Sequence, residues 1–260
     1  MPAVASPKGY GVTGWPDGYG RRILQSVEST LNEAARIAPD LNGPEWIMAH
    51  TQTAARGRRG RAWANPTGNL AATLVLRPAE EPARVALRSF VAALALFDAC
   101  IEVTGRPDGF ALKWPNDVLL NGGKLAGILL ESAGQGTAMA YLAIGIGVNL
   151  AQAPDAGDVE PGAMRPVSLL SETGANVDPE TFLTHLAACY DRYERQFQTY
   201  GFDPIRRAWL ARAAKLGETI TARTTTSETT GTFQTIDEQG NLVLQTAKGT
   251  VNIPAADIYF

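Results

Sequence analysis

Histidine and cysteine are scarce in this sequence of 260 residues: His50, His185, Cys100 and Cys189 are the full set. The two cysteines sit far apart inside apolar helical patterns and no C-x-x-C pair occurs. That argues against a disulfide framework and makes both thiols small buried hydrophobes. With so few histidines a zinc site would have to be assembled from carboxylates, so no structural metal is expected. Long apolar runs are missing too, since residues 90–99 are interrupted by Asp98 and fall well short of the ~20 residues a membrane span requires. Residues 1–20 mix Pro, Gly and Ser with no cationic start and no apolar centre, unlike a signal peptide. The expectation is a cytoplasmic protein with no membrane association. Excess positive charge is also absent. A formal net charge of −3 leaves no global field for nonspecific nucleic-acid binding, so any basic patch must be local.

What is present suffices for one sizeable core and a small second domain, with 45% apolar residues. After an irregular segment (1–25), a short strand is expected over 21–26. Ser29 or Thr30 then caps a helix to about Ile37, and Thr30 and Glu33 have capping-box spacing. Residues 46–50 and 70–76 read as strands on either side of an Arg/Gly-dense loop. A helix is expected over 82–103, with Val85, Leu87, Val91, Leu94 and Leu96 on a broad buried face. Strands follow over 110–114, 118–120, 125–131 and 138–148, with Asn121-Gly122-Gly123 as a turn. Strands joined by such short turns favour a mixed or antiparallel sheet. Helices over 167–173, 179–200 and 204–216 come next, the last two opened by Asp178-Pro179 and Asp203-Pro204 as N-cap and first helical residue. From Gly217 the chain turns to Thr/Val/Ile-rich segments punctuated by Gly231, Gly240 and Gly249, which reads as a small β-barrel domain over 217–260. The main domain is then 26–216. No internal repeat is evident.

Three features carry chemistry. The segment Arg56-Gly57-Arg58-Arg59-Gly60-Arg61, followed by Trp63, places guanidinium forks beside glycines whose amides can approach an anion closely. Such a segment could also be an RG-type RNA-binding tail, but it lies between two strands in a chain with no positive excess. Lys113-Trp114-Pro115-Asn116-Asp117 precedes Lys124-Leu125-Ala126-Gly127-Ile128-Leu129. A lysine among apolar neighbours on a strand is costly to bury unless it meets an anion, which makes Lys124 a candidate ligand for a carboxylate or acyl phosphate, or else a solvated strand start. Gly145-Ile146-Gly147-Val148-Asn149 ends an apolar strand where a ligand ring could lie against backbone; alone it could equally mark a bulge. No Walker loop or G-x-G-x-x-G fingerprint is present, so a nucleotide must be held by another device.

Taken in order, Ser26-Val27-Glu28-Ser29-Thr30, the Arg/Gly loop with Trp63, the KWPND and KLAGIL motifs at Lys113 and Lys124, and Gly145 to Asn149 resemble the biotin–protein ligase family. The resemblance runs from about Ser26 to the end, and the paired KWPND and KLAGIL motifs are its most specific part. It implies an α+β fold: a mixed sheet flanked by helices, of the class II aminoacyl-tRNA-synthetase-like and biotin/lipoate ligase type, with a small C-terminal SH3-like β-barrel. It implies ATP-dependent activation of biotin to biotinyl-5'-AMP and transfer to a lysine of a biotin carboxyl carrier protein, with Mg2+ arriving on the ATP. Biotin would be bound by Ser29, Thr30, Gln52, Arg56, Arg58, Lys124, Gly127, Gly145 and Gly147. The nucleotide would lie near Arg59, Arg61, Trp63, Asn116 and Asn149, and Arg58, Lys113, Asp117 and Lys124 would support catalysis. Leu31 and Ala55 depart from the family pattern, which often has Asn and Gly there, and Leu31 cannot supply an amide's hydrogen bonds. With only residues 1–25 ahead of Ser26 and no helical period in them, no helix-turn-helix and no specific DNA binding are expected. The expected assembly is a monomer or weak homodimer. A lipoate ligase or octanoyl transferase is the nearest alternative, and a noncatalytic RNA-binding protein the alternative of a different class.

Overall fold

The computed structural model describes residues 14–135, 138–155 and 164–260; residues 1–13 of the N-terminal segment lie outside the described residues. Gly20–Val27 forms β1, Thr30–Ile37 helix α1 and Glu45–Gln52 β2, and the crossover through α1 makes β1 and β2 parallel. Then come β3 (Leu70–Leu76), α2 (Pro82–Ala86), α3 (Arg88–Thr104), β4 (Phe110–Lys113), β5 (Asp117–Leu120), β6 (Gly123–Gln135) and β7 (Ala138–Val148). The strands form one seven-stranded sheet in the order β1-β2-β3-β7-β6-β5-β4, antiparallel except for the first pair. The mixed sheet expected from short strand connections is therefore present.

Alternation along β7 divides the molecule. Leu142, Ile144, Ile146 and Val148 join the larger core under α3 and the later helices α4 (Leu169–Thr173), α5 (Pro179–Tyr200) and α6 (Phe202–Leu210). Ala143 belongs to the smaller core with Leu31, Ala34 and Ile37 of α1. Strand pleating puts Gly145 and Gly147 on the same face as Ala143. Beyond the short α1 no helix of the main domain packs on that face, where the Arg/Gly loop and the end of the chain border a cavity.

Local chemistry shifted several expected boundaries. Ser29, not Thr30, caps α1, its Oγ accepting from the Leu31 N–H at 3.2 Å. The Thr30 hydroxyl is engaged with Gln52 and the Glu33 carboxylate with Arg36, so the expected capping box does not form. The expected 82–103 helix is interrupted at Leu87, where Phe90 N–H bonds to Leu87 O, three residues back rather than four. Asp178 does cap α5, accepting from Thr181 N. Asp203 instead lies within α6, paired with Arg206 and Arg207, and that helix stops at Leu210. The residues after it add to the sheet edge: Leu112 N donates to Arg212 O and Ala214 N to Leu112 O, both 2.8 Å, so 212–214 cannot remain helical.

The C-terminal region is a five-stranded antiparallel sheet in the order β11-β10-β9-β8-β12, built from β8 (Thr219–Arg223), β9 (Glu228–Ile236), β10 (Leu242–Thr246), β11 (Gly249–Ile253) and β12 (Asp257–Tyr259). Among the described residues its outer strands β11 and β12 do not pair with each other, so the expected barrel is an open sheet rather than one closed by hydrogen bonds. It docks on the main domain through Trp114, whose indole Nε1 donates to Gly240 O at 3.1 Å. Gly240 has φ +83° and lies against Phe90 and Leu87, where a side chain would be both strained and obstructed. No helix among the described residues is long and apolar enough to cross a membrane.

Candidate active site

A cavity of about 620 Å³ opens on the glycine face of the large sheet. At one end the start of α1 meets the end of β2. Gln52 Oε1 accepts from the Thr30 backbone N–H at 2.8 Å and from Thr30 Oγ1 at 3.1 Å, and Ser29 and Thr30 are nearly fully buried. The floor follows along β7. A methyl group placed on Gly145 would lie 3.1 Å from the Leu31 side chain. One placed on Gly147 would lie 2.6 Å from the Trp63 indole Nε1. Gly127, paired with Gly147 across the β6–β7 ladder, also underlies the Trp63 ring, with Lys124 Cε 3.6 Å from its own methyl position. The glycines are required here because apolar groups lie flat on the sheet where a Cβ would stand.

The far end is charged. Lys124 Nζ is 2.8 Å from Asp117 Oδ1 and 5.5 Å from the Trp63 ring centre. Lys113, nearly buried, has its ammonium held below the ordinary lysine range, chiefly by burial and against the pull of nearby Asp117. Six cationic and two anionic side chains line the cavity, so it is positive although the chain carries −3.

The Arg/Gly loop closes over this end as a self-bonded turn. Gly57 N donates to Arg61 O at 2.7 Å and Trp63 N to Ala55 O at 3.1 Å, while Arg59 takes a left-handed conformation (φ 57°) that non-glycine residues seldom adopt. Arg58 reaches Asn116 Oδ1 at 3.4 Å, the Ala256 carbonyl at 3.2 Å and Asp257 at 3.8 Å. Arg59 and Arg61 meet the same Asp257 carboxylate at 2.8 and 3.1 Å. Burial pulls the Arg58 guanidinium below its usual value, and the Asp257 charge opposes that.

Every residue expected at the site lines this cavity except Arg59, which is turned toward Asp257 and the C-terminal sheet. Arg56 lines it, but its guanidinium is already engaged, bidentate on Glu131 (3.0 and 2.7 Å) and donating to Asn32 Oδ1 at 2.7 Å. These contacts anchor the loop to β6 and α1. Asn116 and Asn149 each donate their amide to a backbone carbonyl, of Ile128 and Val167 respectively, and so hold adjoining segments together. Sequence reasoning missed Asp257 and Phe260, which line the cavity, the Phe260 ring 5.5 Å from Lys113 Nζ, and Thr73, which bonds to Thr30 from behind it. Asp257 lies some 200 positions from the loop it meets, and nothing local in the sequence marks it. Thr73 had one signal, a lone hydroxyl in the apolar strand Leu70–Leu76.

Comparison with known proteins bears on this arrangement. Residues 19–149 match the Biotin/lipoate A/B protein ligase family, and residues 215–260 match the Biotin protein ligase C terminal domain. A biotin–[acetyl-CoA-carboxylase] ligase of Paracoccus denitrificans is 56% identical over 92% of this chain and 99% of its own length. The chain belongs to the biotin–protein ligase family. A bifunctional ligase/repressor BirA of Bacillus subtilis is 33% identical over 91% of this chain and 71% of its own length. Among solved structures, a biotin protein ligase from Aquifex aeolicus in complex with biotin and ATP superposes with a TM-score of 0.79 at 25% identity, covering 92% of this chain and 97% of that one. Membership of this family agrees with the α+β sheet and the C-terminal sheet described above.

Proposed function

We propose that the chain activates biotin with ATP and transfers it to a lysine of a biotin carboxyl carrier protein. The observation that carries this reading is a single cavity joining a buried hydrogen-bonding end, a glycine floor and a cationic end closed by an arginine loop. The ureido ring belongs at Ser29, Thr30 and Gln52, and the thiophane ring and valeryl chain lie along Gly145, Gly147 and Gly127. Lys124 receives the carboxylate.

In the first step a biotin carboxylate oxygen attacks the α-phosphorus of ATP, the bond to pyrophosphate breaks, and biotinyl-adenylate forms. Two anions must approach, and Lys113, Lys124, Arg58 and Arg61 offset that repulsion in a partly desolvated site, where preorganised charges act most strongly. Phosphate oxygens compete with Asp257 for the loop arginines. In the second step the acceptor lysine amine attacks the acyl carbon, an amide forms and AMP leaves. Asp117 is the carboxylate we assign to orient that amine and receive its proton. Magnesium would arrive with the ATP, as part of that substrate. Among the described residues no group of three or more His, Cys, Asp or Glu is arranged to hold a metal, and both cavity carboxylates face cations. Cytoplasmic location and the carrier protein as partner go with this reading.

Biotin-dependent exchange of labelled pyrophosphate into ATP tests it. Exchange with biotin and none with lipoate or octanoate is the expected result; exchange driven by those acids, or salt-sensitive RNA binding without ATP turnover, would overturn it.

A further inference from the structure

Thr73, in the middle of β3, is fully buried among apolar neighbours, yet its hydroxyl reaches the polar end of the cavity. The direction of each hydrogen bond there follows from one group. The Thr30 backbone N–H can only donate, so the Gln52 atom 2.8 Å away is the carbonyl Oε1. That oxygen can only accept, so the Thr30 hydroxyl, 3.1 Å from it, donates its proton there. Having given up its proton, Thr30 Oγ1 must accept in its 2.8 Å contact with Thr73 Oγ1. Thr30 is left with one lone pair, and the Gln52 amide offers the cavity only N–H donors. Ser29 Oγ, which accepts from Leu31 N, retains its proton for donation. The polar end therefore presents an acceptor at Thr30 beside donors at Gln52 and Ser29, the complement of an N–H adjoining a C=O in a cyclic urea.

We propose that Thr73 is a positioning residue for ureido recognition: its donated hydrogen bond fixes the rotamer of Thr30, whose oxygen Gln52 keeps in the accepting state. The inference rests on the reading that this end of the cavity receives the biotin ring. With Thr73 silent, the Thr30 oxygen loses the donor that anchors it to the sheet beside Gly145, Thr73's partner in the ladder. Thr30 keeps its bond to Gln52, but its oxygen is no longer held where a lone pair meets the urea N–H.

Thr73→Val keeps the shape and the strand preference but removes the hydroxyl, whereas Thr73→Ser keeps the hydroxyl. In pyrophosphate exchange, Thr73→Val is expected to raise KM for biotin about tenfold, the effect of one hydrogen bond, leaving KM for ATP unchanged. Thr73→Ser should stay within about twofold of wild type on the same scale. Thermal melting confirms folding, and Thr73→Ala replaces Thr73→Val if the latter does not fold. Gln52→Leu in the same assay tests the underlying reading. If Gln52→Leu raises the biotin KM and Thr73→Val does not, or if Thr73→Ser is as impaired as Val, the role of Thr73 is overturned while the biotin end stands. If neither Gln52→Leu nor Thr73→Val matters, the placement of biotin fails with it.

Discussion

Two lysines in one cavity sit in different environments and should respond differently to removal. Lys124 is half-exposed and ion-paired with Asp117, placed where an incoming carboxylate can share its charge. Lys124→Ala is expected to lower the rate of adenylation by about 2–4 kcal/mol of transition-state stabilisation, a contact to developing charge. Wild-type pyrophosphate exchange by that variant would withdraw the assignment. Lys113 is nearly buried, and burial depresses its pKa below the ordinary 10.5. Between the folded and the unfolded pKa the unfolded chain binds more protons, so the stability contributed at this position rises as pH climbs through that window. At neutral pH the buried ammonium is a cost to the apo fold. Lys113→Met should therefore raise apo stability by about 0.5–2 kcal/mol at pH 7 while reducing exchange activity. The gain should shrink as pH approaches the ordinary lysine pKa. Melting curves across pH measure both; a gain independent of pH would point to packing alone.

At the scale of the element, β7 does two jobs through one alternation, its apolar residues building the larger core and its glycines the floor of the site. Gly147→Ala puts a methyl 2.6 Å from the Trp63 indole, on a side chain pinned between loop and sheet, whereas Gly145→Ala meets the Leu31 side chain at 3.1 Å. Overpacking of this kind costs roughly 1–3 kcal/mol. Gly147→Ala should therefore raise KM for biotin about tenfold or more, and Gly145→Ala less. The reverse order in steady-state kinetics would show that Trp63 does not cover the floor. This strand also shows what the sequence disclosed and what it concealed. The mixed sheet and most of its helices were legible from periodicity and turn signals, and Lys124 and the glycine strand from contiguous motifs, whereas Ser29, Thr30, Gln52 and Lys113 entered as site residues only through the family resemblance. Leu31 read as a lost polar contact. In the structure it is an apolar floor residue against Gly145, a role that no spacing rule could assign because its partner lies on a distant strand. The helix expected over 204–216 failed for the same reason, since a sheet edge claimed its last residues.

At the scale of the whole molecule, the arginine loop is where the two sheets meet the site. Arg58, Arg59 and Arg61 converge on Asp257 of β12, and Arg58 also reaches Asn116 beside β5, so one side chain ties the loop to both domains. The backbone bonds of the turn and the Arg56 anchor shape the loop, while its position against the C-terminal sheet depends on the contacts to Asp257 and Ala256. Each exposed ion pair is worth well under 1 kcal/mol, so Arg59 and Arg61 alone would hold it weakly. Arg58 is the most enclosed of the three, with its side chain about 25% exposed. Arg58→Gly should yield an enzyme that still forms biotinyl-adenylate through Lys113 and Lys124 but releases it before transfer. One lost guanidinium contact of about 1.5–3 kcal/mol corresponds to roughly ten- to a hundredfold weaker retention. The escaped mixed anhydride would acylate lysines indiscriminately. Biotin, ATP and a bystander protein supplied together provide the measurement, with released adenylate and bystander biotinylation followed beside wild type. If adenylate forms at the normal rate and neither signal rises, Arg58 does not retain the intermediate, and the closed loop owes its function to the backbone turn that Gly57 and Arg61 complete.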